Sequence, residues 1–404
     1  MFERIHRSFV SVRGPSLKAG IRDGVVRLKC GQEGPILKLT FFIESKSNPD
    51  FQIKKTLVER ALDEIFEDNP PPFSVVSQPP ETGSPLAVHA EILPAEAKDA
   101  RVLYKRCDGL PYAVVRRGAL REVVGAGISG RSGTRGTEGQ GASAFRRMER
   151  ILRREGLNLG HIVRQWNYIE DLLHLRSTPS GKRQNYQIFN DIRQRFYSRF
   201  RFPAGFPAAT GIGMKHGGVV LEFQALAPAK AFHSVPLSNP LQTDAHRYSQ
   251  DVLVGDPDKS GRPKASPLFE RAKFVGRGPE RIIFISGTAA VREQATAAAE
   301  DVSAQTRITI ENIRRLISAE NLKAHGIKGD GNGRPLAYLR AYVKRRRDIP
   351  AVKRICRKDF GDIPAHFVAA DVCREDLLVE LEGVAGLGPE SGTAGKTPKA
   401  GGLR

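Results

Sequence analysis

The chain has 404 residues, enough for two or three domains, and its 64 Lys and Arg against 44 Asp and Glu give a formal net charge of +20. A hydrophobic fraction of 40% and a charged fraction of 27% are typical of globular proteins and exclude a wholly disordered or fibrous chain. The longest apolar runs, such as Ile282–Ile285, are too short to cross a bilayer, and charged residues follow Met1, so we expect neither a membrane span nor a secretory leader.

The first 85 residues contain a predicted strand and a predicted helix but suggest no role. Lys38–Lys46 has the apolar pattern of a strand, and Lys54–Phe66 has a helical stripe of apolar residues that ends before a run of prolines. Ser77–Pro85 carries three more prolines and is predicted to be a linker. We therefore treat residues 1–85 as an N-terminal extension of unknown role.

Two later segments resemble each other in the order of their elements. The first has a predicted strand, a mobile Gly-rich insertion, a helix and a closing strand at Tyr112–Val124, Gly125–Gly141, Ala144–Gly156 and Val219–Ala227. The second has a strand, a helix and a closing strand at Arg281–Thr288, Glu300–Ser318 and Leu377–Ala385. The closing strands align without gaps, which favours a duplicated α/β unit with helices on one face of a mixed sheet. The Gly/Pro/Lys-rich residues 387–404 are predicted to be a disordered tail.

The motifs of these segments resemble those of the chorismatases, which carry two tandem domains of the RidA (YjgF) fold. In chain order the matching motifs are Gln165–Tyr168, Asn185–Asn190, Pro207–Gly213, Asn239–Gln242, Ala245–Tyr248, Ser266–Ala272, Ile285–Ala289 and Ala370–Arg374. The resemblance implies an α+β sandwich fold. It places a non-catalytic N-terminal RidA-like domain at residues 86–230 and a catalytic C-terminal RidA-like domain at residues 231–386.

Chorismatases release pyruvate from chorismate without metal or cofactor, so the resemblance implies this reaction, with 3-hydroxybenzoate, and in some members 4-hydroxybenzoate, as product. The catalytic glutamate of the family matches Glu380. As a general acid it would protonate the enolpyruvyl methylene group, provided that burial or nearby negative charge keeps it protonated. Strand alternation places Glu382 on the same face, and Glu222, at the matched position of the first unit, is interpreted as structural.

A cysteine at the place of Cys373 is typical of the 3-hydroxybenzoate subtype of the family. The hydrolytic subtype, which leaves a dihydroxycyclohexadiene carboxylate, has a small non-thiol residue there. The resemblance therefore implies that Cys373 steers the product, by shaping the cavity or by helping an intermediate become aromatic. The alternative is that Cys373 is a buried cysteine acting as a small hydrophobe.

Four more residues are predicted to bind the substrate. Arg271 is the first choice for a carboxylate clamp, because a guanidinium pairs bidentately with a carboxylate, and Tyr248 would donate a hydrogen bond. Gly287 and Ala289 would bring backbone N–H groups and little bulk to the ring. The sequence departs from the family pattern at Ser249, where proline is usual, and at Gln294, where histidine is usual.

Two other classes of function stay open. A RidA-like enamine or imine deaminase would also use an arginine to hold a carboxylate. A nucleic-acid-binding protein of this fold would use the basic runs at Lys344–Arg347 and Arg131–Arg135. No aromatic residues interleave the Lys344–Arg347 run, so we expect no nucleic-acid partner and interpret the net charge as background composition.

The remaining expectations concern the setting of the protein. We expect no membrane partner, and a monomer, in which the fused domains replace the contacts of a trimer. The four cysteines are scattered without a CxxC pair, which favours a reducing cytoplasm over a disulfide framework or a zinc site. The product would enter aromatic secondary metabolism.

Overall fold

The computed structural model contains three α/β units in series. It describes residues 5–12, 17–31, 34–67, 69–118, 120–178, 181–227, 233–256, 261, 263–277, 280–328 and 336–387. The predicted tail, apart from Leu387, lies outside these residues. No helix in these ranges is long and apolar enough to span a membrane.

Unit I is a four-stranded sheet with two helices. Its elements are β1 His6–Val12, α1 Leu17–Gly31, β2 Ile36–Ile43, α2 Asn48–Phe66, β3 Phe73–Val76 and β4 Leu86–Ile92. Helix α2 begins where the Ser47 side chain accepts a hydrogen bond from the backbone N–H of Asp50, and a proline occupies its first turn.

Unit II contains a six-stranded sheet, a small hairpin and two helices. Its elements are β5 Ala100–Cys107, β6 Leu110–Arg117, β7 Leu120–Ser129, α3 Gly136–Arg154, β8 Ile162–Glu170, β9 Leu175–Thr178, β10 Gly181–Gln184, α4 Asn185–Tyr197, β11 Ala208–Met214 and β12 Val219–Leu226. The hairpin of β9 and β10 leads directly into α4.

Unit III contains the second six-stranded sheet. Its elements are β13 His233–Leu237, β14 Ala272–Arg277, β15 Glu280–Ala289, β16 Val291–Arg292, β17 Ala295–Thr296, α5 Val302–Leu316, α6 Ala319–Ala324, β18 Leu336–Val343, α7 Ile349–Phe360, β19 Ala365–Ala369 and β20 Val379–Leu387. The Asp301 side chain caps α5 by accepting from the backbone N–H groups of Ser303 and Ala304.

The three sheets share one core order of strands. Neighbouring strands run β1-β4-β2-β3 in unit I, β7-β12-β8-β11 in unit II and β15-β20-β18-β19 in unit III. The last pair in each series is parallel and the other pairs are antiparallel. The two predicted tandem units are thereby confirmed, and residues 6–92, which had no assigned role, form a third, smaller unit with the same core.

The structure corrects two predictions from Gly and Pro content. Strand β4 belongs to unit I, so the boundary predicted at residue 85 falls inside that unit, and Ser77–Pro85 connects two strands of one sheet rather than two domains. The Gly-rich segment 125–141 is also ordered, because it completes β7 and begins α3. Gly127 allows this path, since it has a φ of +62° and a side chain there would meet the Phe73 carbonyl oxygen.

Each sheet has a helix-covered face and an inner face that meets the other two sheets. The helix-covered faces form three separate apolar cores, one in each unit. The inner faces share two apolar clusters to which all three units contribute. The units therefore surround a common centre, and any cleft between two of them has walls from both.

Buried charged residues occupy this common centre. Lys38 of unit I lies 2.9 Å from Glu222 of unit II, and Arg164 of unit II lies 2.8 Å from Glu382 of unit III. Arg340 connects unit III to unit I, because its Nη2 donates a hydrogen bond to His89 Nδ1 of unit I over 2.9 Å. Each unit is thus bonded to the other two. Burial, and next the charge of Arg340, hold the pKa of His89 well below its usual range, so the imidazole is neutral and can accept.

Glu122 near this centre makes stability depend on pH. Its carboxyl is fully buried and no described group donates a hydrogen bond to it. Burial, and next the charge of Glu91, raise the pKa of Glu122 from an ordinary value of 4.5 to about 8. Between these values the native state holds a proton that the unfolded chain has lost. The stability linked to this proton is therefore full below the lower value and is lost as the pH rises through the higher one.

We expect Glu122→Gln to weaken this pH dependence, because the amide stays neutral at every pH. The free energy of unfolding should lie within about 1 kcal/mol of wild type near about pH 5 and exceed it above about pH 8. Urea denaturation at both pH values measures the difference. If the free energy of unfolding varied with pH in the same way in both proteins, the raised pKa of Glu122 would be contradicted.

Candidate active site

All six residues that the sequence predicted for the site line one cavity between units II and III. They are Tyr248, Arg271, Gly287, Ala289, Cys373 and Glu380. Unit III supplies these six, and unit II supplies the facing wall from α4 and from Ala209 and Gly211 on β11. The cavity therefore exists only because the two units pack together.

Glu380 lies on β20 with its side chain 4% exposed. Its carboxyl accepts no hydrogen bond from the described part of the chain. Burial, and next the charge of Glu382, raise the pKa of Glu380 to about 8, against opposing effects from Arg164 and Arg271. The group is therefore a neutral carboxylic acid at neutral pH, and it can donate a proton into the cavity.

The backbone of Gly287 lies directly against this carboxyl. A Cβ built on Gly287 would stand 1.9 Å from Oε1 of Glu380 and 3.2 Å from Cγ2 of Thr210, so a side chain at this position would displace the Glu380 carboxyl. The Gly287 N–H donates to Thr210 Oγ1 of unit II over 3.1 Å. Residue 287 must therefore be glycine for Glu380 to keep its place.

Cationic side chains surround Tyr248 at the mouth of the cavity. Arg271 Nη2 donates to the Tyr248 hydroxyl over 2.8 Å, and a second bond ties it to the Thr243 carbonyl. The guanidinium carbons of Arg271 and Arg374 lie 5.5 and 5.4 Å from the centre of the Tyr248 ring. Arg271 is 5% exposed, and its Nε is a buried donor without a described partner.

Cys373 lines the same wall as Glu380. Burial, and next the charge of Glu380, raise the pKa of the Cys373 thiol to about 12. At neutral pH the group is thus a thiol rather than a thiolate. It contributes shape and polarisability to the wall, and it does not act there as a nucleophile or base, because only the thiolate form could do so.

The sequence reasoning missed several residues that line the cavity. Tyr186, Gln187 and Asn190 project from α4, and Arg374 follows Cys373. Asn190 is 1% exposed and its Nδ2 donates to no described group, so it offers a second buried donor. These residues lie in segments 185–190 and 370–374, whose motifs match those of the family. The match of these motifs was the sequence signal that could have identified them as site residues.

The two departures from the family pattern contact each other. The backbone N–H of Ser249 donates to Oε1 of Gln294 over 2.7 Å, near the mouth of the cavity. Proline has no N–H and could not make this bond. The two departures from the family pattern therefore depend on each other, because the bond needs both the Ser249 N–H and the Gln294 side chain.

This cavity is distinguished from the other clefts in the described part of the chain by its unpaired buried carboxyl and not by a large volume. It encloses about 60 Å³, less than the cleft between units I and II, at about 580 Å³, or the basic groove along α3, at about 870 Å³. In unit II the residue aligned with Glu380 is Glu222, but Lys38 and Thr40 of unit I hold its carboxylate at 2.9 and 3.1 Å. Of the two aligned glutamates, only Glu380 presents an unpaired carboxyl to a cavity.

Sequence comparisons place the chain among chorismatases. The sequence profile described as "Chorismatase FkbO/Hyg5-like, N-terminal" matches residues 123–227. A 3-hydroxybenzoate synthase of Streptomyces hygroscopicus is 37% identical over 236 residues, which are 57% of this chain and 65% of that protein. A chorismatase of Streptomyces rapamycinicus is 34% identical over 55% of this chain and 63% of that protein. The chain thus spans just under two thirds of the length of these two relatives.

A longer match and a solved structure extend the similarity. A second chorismatase, from Streptomyces hygroscopicus, is 30% identical over 299 residues, which are 73% of this chain and 77% of that protein. A chorismatase crystal structure matches 94% of this chain and 98% of its own with a TM-score of 0.67 and 24% identity, which supports the fold. The tandem architecture predicted from the resemblance agrees with this match.

The protonated state of Cys373 predicts slow alkylation. Because its pKa is about 12, iodoacetamide should modify Cys373 more slowly than a free cysteine at neutral pH. Peptide mass spectrometry after timed labelling measures the rate, with the same peptide from urea-unfolded protein as the control. Faster labelling in the native than in the unfolded protein would show a thiolate and contradict this assignment.

Proposed function

The chain belongs to the chorismatase family, and from that premise we propose that it splits chorismate into pyruvate and 3-hydroxybenzoate. The observation that carries the proposal is a buried carboxyl with a pKa of about 8, facing a cavity that an arginine, Arg271, also lines. The two products together contain all the atoms of chorismate, so the reaction consumes no water, oxidant or reductant.

Glu380 starts the proposed reaction as general acid. It transfers its proton to the methylene carbon of the enolpyruvyl ether, which leaves an oxocarbenium ion open to attack by a neighbouring hydroxyl. The pyruvyl carbon is then held to the ring through two oxygens, and the attacking hydroxyl gives up its proton.

Pyruvate leaves when two bonds break: the bond from the pyruvyl carbon to the ether oxygen, and the bond from the ring to the oxygen of the former hydroxyl. The ether oxygen stays on the ring and takes up the hydroxyl proton, and the ring carbon that bears it loses a proton as the ring becomes aromatic. That proton restores the acid, so Glu380 ends the cycle as it began.

Two buried donors suit the two carboxylates of such a substrate. Arg271 and Asn190 line the cavity, and their buried Nε and Nδ2 atoms have no described partners. An anionic ligand that reaches these atoms would satisfy both. The cavity of about 60 Å³ is well below the roughly 300 Å³ of small-ligand sites. We therefore propose that the segment of two short turns, Ala245–Arg247 and Gln250–Val252, moves outward when substrate enters.

The product subtype depends on Cys373 in this proposal. The thiol lies on the same wall as Glu380 and stays protonated, so it steers the intermediate by filling space beside the ring. A smaller side chain there would admit water and favour the hydrolytic product. We place the reaction in aromatic secondary metabolism.

We expect Glu380→Gln to lower kcat for pyruvate release by about 10²–10⁴-fold, because the amide cannot donate the proton. Lactate dehydrogenase coupling measures pyruvate in both proteins, and an unchanged melting temperature controls for folding. In wild type the activity should be full at low pH and fall as the pH rises through about 8, where Glu380 loses its proton. Undiminished turnover in Glu380→Gln would remove this mechanism, and absence of pyruvate from wild type would remove the function.

We expect Cys373→Ala to change the ratio of products while turnover stays within about tenfold of wild type, because the thiol shapes the cavity and carries no proton in the reaction. Chromatography separates 3-hydroxybenzoate, 4-hydroxybenzoate and the dihydroxycyclohexadiene carboxylate. Cys356→Ala is the matched control, since Cys356 is buried in the helix-side core of unit III and should leave the ratio unchanged. Identical ratios in wild type and Cys373→Ala would overturn the role of this residue.

A further inference from the structure

Glu382 lies two residues after Glu380 on the same face of β20, yet its surroundings are the opposite. Its side chain is 1% exposed and it lies beneath the cavity, not in its lining. Four groups donate to its carboxylate or pair with it: Arg164 Nη2 at 2.8 Å, Thr210 Oγ1 at 2.5 Å, Trp166 Nε1 at 2.8 Å and Arg340 Nη1 at 3.3 Å. Three of the four come from unit II.

These contacts keep Glu382 ionised beside a protonated Glu380. Burial acts to raise the pKa of Glu382, but Arg164, Arg340 and the hydrogen bonds outweigh it and hold the pKa below its usual range. Glu380 receives no such bonds, and burial, and next the fixed negative charge of Glu382, raise its pKa. Neighbouring carboxyls whose surroundings push their pKa values apart are typical of acid–base sites.

The hydroxyl group of Thr210 connects the surroundings of the two carboxyl groups through hydrogen bonds. Thr210 Oγ1 donates to Glu382 and accepts from Arg164 Nη2 over 2.7 Å and from the Gly287 N–H over 3.1 Å. Gly287 in turn forms the wall against which Glu380 rests. The group that fixes the charge on Glu382 thus also fixes the backbone that holds the acid.

We propose that Glu382 is a positioning residue of this site, and that unit II, through Arg164, Trp166 and Thr210, sets how firmly Glu380 holds its proton. This inference rests on the proposed function. It gives unit II, interpreted from the sequence as non-catalytic, a defined effect on the chemistry of unit III. Neither Glu382 nor Arg164 touches the substrate in this scheme, because both act through Glu380.

The charged and titratable groups that face Glu380 come from several elements. They are Glu382 on β20, Arg164 on β8, Arg271 before β14, Cys373 before β20 and Tyr186 on α4. Glu382 is the nearby anion, and Arg164 and Arg271 are the nearby cations. Glu382 and Arg164 therefore act on the Glu380 proton in opposite directions, which separates an electrostatic effect from a general loss of structure.

The test compares the pH dependence of kcat/KM for pyruvate release in wild type, Glu382→Gln and Arg164→Gln. Glu382→Gln should move the falling high-pH limb to lower pH by about one unit or more, and Arg164→Gln should move it to higher pH. Arg164→Lys, which keeps the charge, should stay near wild type. Glu122→Gln is the matched control, a buried neutral carboxyl outside the site, and should leave the profile unchanged. Limbs that stay in place, or shift in the same direction in both Gln variants, would overturn the proposal.

A second measurement needs neither activity nor a stable variant of the network. Infrared difference spectra of wild type against Glu380→Gln isolate the C=O band of the protonated Glu380 carboxyl, which is then titrated without substrate. We expect the band to persist at neutral pH and to disappear near about pH 8. A band that is lost near pH 4.5, the ordinary value for glutamate, would overturn the proposal. If wild type releases no pyruvate while this band behaves as expected, the proposed function fails, and the raised pKa of Glu380 that the coupling requires stands.

Discussion

The arrangement of the three units depends on buried charge at the centre where their inner faces meet. Lys38, Arg164 and Arg340 each reach from one unit to an acceptor on the next, and all three are fully or almost fully buried. Removing one partner of such a pair strands a charge in the interior, at a cost of about 3–5 kcal/mol. Any rotation of one unit against another would do the same, so the pairs fix the clefts between units as well as the units themselves.

The acidity of the candidate site depends on these central ion pairs. Glu382 belongs to them through its ion pair with Arg164, and it is also the negative charge beside Glu380. The carboxyl that is paired supports the fold, and the carboxyl that is left unpaired is available for proton transfer. The same strand, β20, therefore contributes to assembly and to acid strength within three residues.

Sequence patterns located unit III's closing strand well because its alternation of apolar and acidic residues is local. They placed Glu380 and Glu382 on one face of the strand, and the structure has them on one face and buries both. The sequence predicted a strand and a helix where unit I has β2 and α2, but it did not reveal the unit. Its strand β4 follows the proline-rich segment and buries His89 and Glu91, and a single sequence gives no sign that such polar residues are buried. The partner that explains Lys38 is Glu222, 184 residues away, and no local pattern reveals it. Tyr186 and Asn190 were missed for the same reason, since only the packing of α4 against unit III gives them a site to line.

Three related units in a single polypeptide can diverge one at a time. In a ring of identical chains, a lysine placed to neutralise one glutamate would neutralise every copy of it. Here Lys38 of unit I neutralises Glu222 of unit II, while no lysine among the described residues pairs with Glu380. Because the units are joined in one chain, the two aligned glutamates can have different surroundings, and a single chain can combine a paired glutamate that supports packing with an unpaired one that faces a cavity.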